Sequence, residues 1–327
     1  MASRRDRHPL RVGALLWPQK TTWPELRDAA LLADAAGLDS LWTWDHLHAI
    51  VGDPDQGIFE GWALLAAWAA ITERPTLGLM VGANTFRNPG LTAKSAVTVD
   101  HVSGGRAWLG IGGAWFEHEH AAHGIDFGSG FGERLDWLEE ATAAMTALLR
   151  GADVTSPDGG HYRFRELRHR PLPVRGAGRL PIMVGGGGEK KTLRTVARHA
   201  DGWNVSGSLE TLTRKVGVLA GHCADAGRDI EEIEFTLFPY VCLRDDPQAA
   251  REALRERLAA HGEDYDPDPA VDFLGSEERV AEMWRPYLDL GFTHLIADLG
   301  APYDRETIER LPRLRALMAG SAPGGTS

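Results

Sequence analysis

Three groups of side chains in this sequence are of types that do chemistry. The run Asp45-His46-Leu47-His48 sets a carboxylate and two imidazoles at the end of the apolar stretch Ser40-Leu41-Trp42-Thr43-Trp44. A buried strand that stops on ionisable groups usually stops at a site. Gly185 to Gly188 offers four successive backbone N–H groups with no side chains over them, the material of an anion cradle, and Ser206-Gly207-Ser208 could add hydroxyl and amide donors to the same anion. The third group is aromatic: Trp17, Trp42, Trp44, Trp115 and Phe116 supply flat apolar surface, part of which fills the core.

Two chemistries compete for the Asp45-His46 pair. An H-x-H pattern with a distant Asp298 resembles the opening of a metal-dependent hydrolase, but such a site needs further His, Asp or Lys ligands on middle strands, which here end in glycine and serine. No metal is therefore expected. The other chemistry makes His46 a proton donor or acceptor, held by Asp45 beside a large planar ligand. A flat aromatic pocket next to a phosphate cradle describes a flavin-like cofactor. The glycine run is neither a Walker A loop, because no Gly stands five residues before Lys190 or Lys191, nor GxGxxG, because Glu189 and Lys190 stand where a third Gly is needed. Tight packing of a helix against a strand is its alternative use.

Positioning these groups requires a frame, and strand and helix patterns alternate along the whole chain. Strands are expected at 11–16, 40–44, 76–81, 107–111, 181–184, 202–205, 233–243 and 294–298. Helices are expected near 24–36, 62–72, 91–102, 133–150, 189–199, 209–226, 247–260, 276–290 and 305–318, with an irregular stretch at 151–180. Eight such units argue for an α/β fold, a (β/α)8 TIM barrel with insertions, its active site at the C-terminal strand ends; a doubly wound sheet is the alternative. The expected organisation is a flexible start at 1–10, one domain at 11–318 and a flexible tail at 319–327.

The formal charge of −11, with no Lys/Arg run longer than Arg4-Arg5, argues against nucleic acid and anionic membrane as partners. Two cysteines form no disulfide framework and the N-terminal residues carry no secretory h-region, so a cytoplasmic protein acting on a small molecule is expected.

Several ordered motifs carry a family resemblance. Trp42-Thr43-Trp44-Asp45-His46, Asn84-Thr85-Phe86-Arg87-Asn88-Pro89, Asp100-His101-Val102-Ser103-Gly104-Gly105-Arg106, Leu109-Gly110-Ile111-Gly112 and Ala200-Asp201-Gly202-Trp203 together resemble the bacterial luciferase-like flavin and deazaflavin oxidoreductases, over residues 11 to 318. The resemblance implies the same barrel. Its Asp-His pair resembles the branch using coenzyme F420, a deazaflavin, more than the FMN branch. The implied catalytic residues are His46 and Asp45, with Glu117 taking the place of an acid that some relatives carry where Trp115 stands. The implied cofactor contacts are Trp44 and Asp45 near the ring, a bulge with a cis peptide at Met80-Val81 followed by Gly82, Asn84 at the ring's polar edge, and Gly185, Gly186, Gly187, Gly188, Ser206 and Gly207 at the phosphate. Ser208 stands where some relatives use a lysine to grip a phosphorylated substrate, which argues against a sugar phosphate here. Arg87 is either a structural ion pair or a substrate contact, while His101 and Arg106 belong to a helix cap.

The activity implied is hydride transfer between deazaflavin C5 and a small organic substrate. The alternatives are an FMN-dependent monooxygenase, a non-catalytic cofactor-binding relative and a metal-dependent hydrolase. The family's frequent dimerisation implies a homodimer.

Overall fold

The computed structural model describes residues 7–268 and 271–319. Eight strands form the barrel: β1 (Arg11–Leu16), β2 (Ser40–Thr43), β3 (Thr76–Leu79, resumed at Gly82–Ala83), β4 (Ala107–Gly112), β5 (Ile182–Gly185), β6 (Gly202–Asn204), β7 (Glu234–Leu237) and β8 (Phe292–Leu299). Each hydrogen-bonds in parallel to the next, and β8 returns to β1 from Arg11↔His294 to Leu16↔Leu299. The β3–β4 seam is short, with Leu77 opposite Ala107 and Gly78 opposite Trp108. Around the barrel run α1 (Trp23–Ala36), α2 (Gly61–Ile71), α3 (Pro89–Val102), α4 (Glu117–His123), α5 (Phe131–Leu149), α6 (Thr192–His199), α7 (Leu209–Asp225), α8 (Pro247–Ala260), α9 (Glu277–Asp289), α10 (Arg305–Arg310) and α11 (Pro312–Ala319). Of the ends expected to be flexible, residues 1–6 and 320–327 lie outside the described residues; Arg7 pairs with Asp229 at 3.0 Å.

Local chemistry explains most boundaries. α1 opens on a Thr22/Glu25 capping box with Pro24 in its first turn and closes on Gly37 at φ 90°. The single strand expected at 233–243 is two pieces, because Pro239 has no N–H to give the ladder: β7 stops at Leu237, and Val241–Leu243 pairs instead with Phe273–Gly275 outside the barrel. The last expected helix is likewise divided at Pro312, which starts α11. Arg106 caps α2 as well as its own turn, donating to the carbonyls of Thr72 at 2.6 Å and Pro75 at 2.7 Å, and His101 meets Leu172 O at 2.8 Å.

The barrel interior is filled from below by a polar chain. The Arg11 guanidinium meets Glu234 at 3.1 Å, Glu234 accepts from His294 Nδ1 at 2.7 Å, His294 Nε2 lies 2.7 Å from the Ser40 hydroxyl, and Ser40 accepts from the Trp42 indole N–H at 2.8 Å. Because a carboxylate only accepts, the proton of His294 sits on Nδ1, and its Nε2 accepts from Ser40. Five side chains from β1, β2, β7 and β8 are thus satisfied without water. The Trp42 ring closes the layer above, and Gly78 makes room for it, since a Cβ there would stand 2.4 Å from Trp42 Cζ3.

Burial opposes the charge on Glu234, yet Arg11 and His294 hold its carboxyl down at about 2, while burial keeps His294 below its ordinary range. Removing the charge in Glu234→Gln strands a buried cation and should cost about 3–5 kcal/mol in urea unfolding. Since the folded Glu234 lies below its ordinary value of 4.5, its contribution is full above that pH and is lost as pH falls toward about 2. Wild-type stability should therefore drop steeply with acid over that window, and the drop should be shallower in Glu234→Gln.

Candidate active site

At the C-terminal strand ends the barrel opens into a cavity of about 760 Å³. Its rim has two unlike halves. On one side, rings follow one another: Tyr240 lies 6.4 Å from Trp17 between centroids, Trp17 4.6 Å from Trp44, Trp44 6.3 Å from His46, and His46 5.5 Å from Trp115. On the other side the wall is nearly bare backbone, from Gly82 through Gly112 and Gly113 to Gly185, Gly186 and Gly187. Between them the Met80–Val81 peptide is cis, as the resemblance implies. The Val81 side chain then fills space that two glycines vacate, because a Cβ on Gly112 or on Gly185 would stand 2.7 Å from its Cγ2.

His46 is oriented by an acid that the sequence reading did not select. Its Nδ1 lies 2.9 Å from Glu119 Oε1, and the second oxygen of Glu119 accepts from Leu47 N–H at 2.8 Å. Glu119 is buried and lines the cavity, whereas Glu117, two residues earlier, is exposed and stands outside it. The acid that meets His46 at the cavity is thus Glu119 and not the expected Glu117, because α4 turns position 119 inward. The short helix is seated by His120, which bonds Phe116 O at 2.7 Å and the Thr85 hydroxyl at 2.6 Å. With Nδ1–H committed to a carboxylate, Nε2 of His46 is left for the cavity.

Asp45 is placed differently from its expected role beside a ring. Although it lines the cavity floor, its carboxyl is clamped by Arg87 at 2.7 and 3.0 Å and by Ala83 N–H at 3.0 Å. Burial pushes this carboxyl up, against the pull of Arg87. Arg87 also pairs with Glu60, which caps α2 through Ala63 N–H at 2.7 Å, so it is a structural ion pair.

Other expected contacts divide between wall and support. Trp44, Met80, Val81, Gly82, Gly185, Gly186, Gly187 and Ser206 line the cavity. Asn84 does not: its backbone continues the pairing with Gly112, and its side chain is taken by Tyr162 Oη at 2.9 Å, reaching in from the irregular 151–180 stretch. Gly188 and Gly207 also lie outside the lining. The helix expected from Glu189 begins only at Thr192, so Gly188 belongs to the turn entering it and accepts from Leu193 N–H. Gly207 packs against Thr211 in the turn entering α7.

An amine and a further carboxyl also face the cavity. Lys215 on α7 reaches the glycine side and donates to Gly187 O. It stands at i, i+3, i+7 with Leu212 and Leu219, so a lysine set into an apolar stripe was the available signal. Asp298, at the end of β8, accepts from the Trp17 indole N–H. Burial, with Glu263 adding to it, pushes the Asp298 carboxyl up to about 7, against the pull of that indole. The remaining chemistry-bearing pattern, His48 with His118 and His123 at ring separations of 5.1 and 5.2 Å, joins the segment after β2 to α4 outside the cavity lining; among the described residues no group is arranged to hold a metal ion.

If the Asp45–Arg87 pair fixes the cavity floor, Arg87→Met should cost about 3–5 kcal/mol by leaving a buried carboxylate alone. The double variant Arg87→Met/Asp45→Asn should recover much of that loss, as read by chemical denaturation.

Comparison with known proteins identifies the family and agrees with the barrel fold. Residues 8–305 match the sequence profile of the luciferase-like monooxygenases. The chain is 31% identical to the F420-dependent glucose-6-phosphate dehydrogenase of Beutenbergia cavernae, covering 94% of this chain and 98% of the relative. It is 30% identical to the enzyme of that name from Nocardia farcinica, over 90% and 94%. Among solved structures, an F420-dependent secondary alcohol dehydrogenase in complex with an F420-acetone adduct superposes with a TM-score of 0.78 at 18% identity, covering 96% of this chain and 99% of that one, which bears on the fold alone. By its matched length and its relatives, this protein is an oxidoreductase that belongs to the luciferase-like monooxygenase family.

Proposed function

We propose that the protein is a coenzyme F420-dependent oxidoreductase that moves a hydride between the deazaflavin and a small organic substrate. The observation that carries this reading is His46, oriented through Nδ1 by Glu119 and standing where the ring side of the cavity meets the bare-backbone side. The names of the relatives that align along nearly the whole chain support the same cofactor.

The donor set fits the group. A phosphorylated side chain needs close backbone approach, hydrogen-bond donors and a cation, and the bare backbone at Gly187 with the Ser206 hydroxyl and Lys215 supplies them, the Gly186 N–H being given to Asn204 O. A Cβ on Gly187 would stand 2.7 Å from Lys215 Nζ, so a side chain there would displace the ammonium from the cradle. A planar heterocycle needs flat walls, which Trp44 and the Met80–Val81 segment offer. When bound, the deazaflavin supplies a hydride donor or acceptor at C5.

The chain's own work is then positioning and one proton transfer. In the oxidising direction the substrate gives its hydroxyl proton to Nε2 of His46 as its C–H hydrogen leaves with the bonding pair. Glu119 stabilises the imidazolium so formed and keeps Nδ1–H turned away from the substrate.

Fluorescence titration of the purified protein with coenzyme F420 and with FMN tests the cofactor. Binding of coenzyme F420, weakened about tenfold to hundredfold in Lys215→Ala and weakened further by salt, is expected for a charge-assisted contact. Tight FMN binding with none of coenzyme F420 would overturn the reading in favour of an oxygenase. His46→Ala should retain coenzyme binding while hydride transfer falls about 10²–10⁴-fold, the usual contribution of a positioned general acid or base.

A further inference from the structure

We infer that the ring side of the cavity receives an uncharged, largely apolar alcohol or carbonyl compound, with Asp298 as the side chain that recognises its oxygen or a second polar group. The inference rests on the cofactor reading for what occupies the glycine side, and on the lining of the cavity for what occupies the rest.

Charge comes first. Among the described lining residues the one lysine or arginine is Lys215, which sits against Gly187 on the glycine side, and the imidazole of His46 is tied to Glu119. The carboxylates Asp45 and Glu119 are each already matched, by Arg87 and by His46 with the Leu47 N–H. The ring side is left with one acid, Asp298, held by an indole N–H rather than a cation. A phosphate or carboxylate brought there would leave water for a wall that offers no counter-charge and one group able to repel it. The named substrate of the aligned relatives carries a phosphate, and this wall provides nothing to hold one.

Shape points the same way. Trp17, Trp44 and Tyr240 present ring surface to the cavity, and Ile50 and Phe238 extend it. At the mouth, Trp115 is 61% exposed beside His46, and Phe131, 53% exposed, stands by Gly113, two large rings left open to solvent where they line the same cavity. Exposed aromatic surface continuous with a cavity marks contact with an apolar ligand. Asp298 completes the set: one oxygen is taken by Trp17, and the carboxyl, pushed up to about 7 by burial, can in its protonated form donate to the substrate oxygen, which leaves an alcohol's single hydroxyl proton for Nε2 of His46. With 1-phenylethanol, the carbon-bound hydrogen would pass as hydride to the oxidised deazaflavin and the hydroxyl proton to Nε2 of His46, leaving acetophenone.

Isothermal titration calorimetry on the full chain, with and without coenzyme F420, should show 1-phenylethanol and acetophenone binding at least tenfold more tightly than glucose 6-phosphate. Trp115→Ala, a change at an exposed position, should weaken the neutral ligands about tenfold. Asp298→Asn should raise KM for 1-phenylethanol more than it lowers kcat. Glucose 6-phosphate binding as tightly as the neutral pair, no heat with the neutral pair, or an unchanged affinity in Trp115→Ala overturns the inference. Failure of coenzyme F420 to bind sinks the cofactor reading instead, and calorimetry on the free protein still decides the substrate class.

Discussion

One ion pair ties together the strand ends around His46 at the mouth of this barrel. Asp45 follows β2, Arg87 lies in the loop after β3, and Glu60 caps α2; the guanidinium binds both carboxylates and so joins three elements. His46 is the next residue after Asp45, so its Cα is placed by that clamp before any side-chain contact of its own. A guanidinium suits the task better than an ammonium because its planar fork meets one carboxylate in two places and still has a donor left for the second.

Above this floor the cavity is divided by what each strand end lacks. Strands β4 and β5 end in glycine, and the room they leave is taken by Val81. Strands β1 and β2 end in tryptophans, and the segment after β7 adds Tyr240. A charged chain and a flat apolar body can therefore enter one pocket side by side, each meeting surface of its own kind, with His46 at the boundary.

The frame was legible in the residues because periodicity is a local property: eight strands and most helices follow from apolar spacing, caps and glycines, and Asp45, His46, Trp44 and the glycine run follow from their place at strand ends. What escaped the reading depends on direction in space. Glu117 and Glu119 differ only in which side of a seven-residue helix they occupy, and so short a helix shows no repeat from which to read a face. Asn84 looked like a ring contact until Tyr162, 78 residues away, took its side chain. Pro239 was the signal for the division of the seventh strand, and Lys215 in an apolar stripe was the signal for the cation; both are single residues that a pattern of averages passes over.

The helix that carries Glu119 has seven residues, too few to be stable in water on its own. Its order is lent by His120, seated between Thr85 and Phe116, and by the two bonds Glu119 makes to His46 and Leu47. Local unfolding of this one segment would release the imidazole and uncover the Leu47 amide in a single event. Amide exchange at Leu47 thus becomes a clock for how often the proton-transfer group loses its partner, and proteins that differ only in residues 113–130 could differ in that rate while sharing an unchanged barrel.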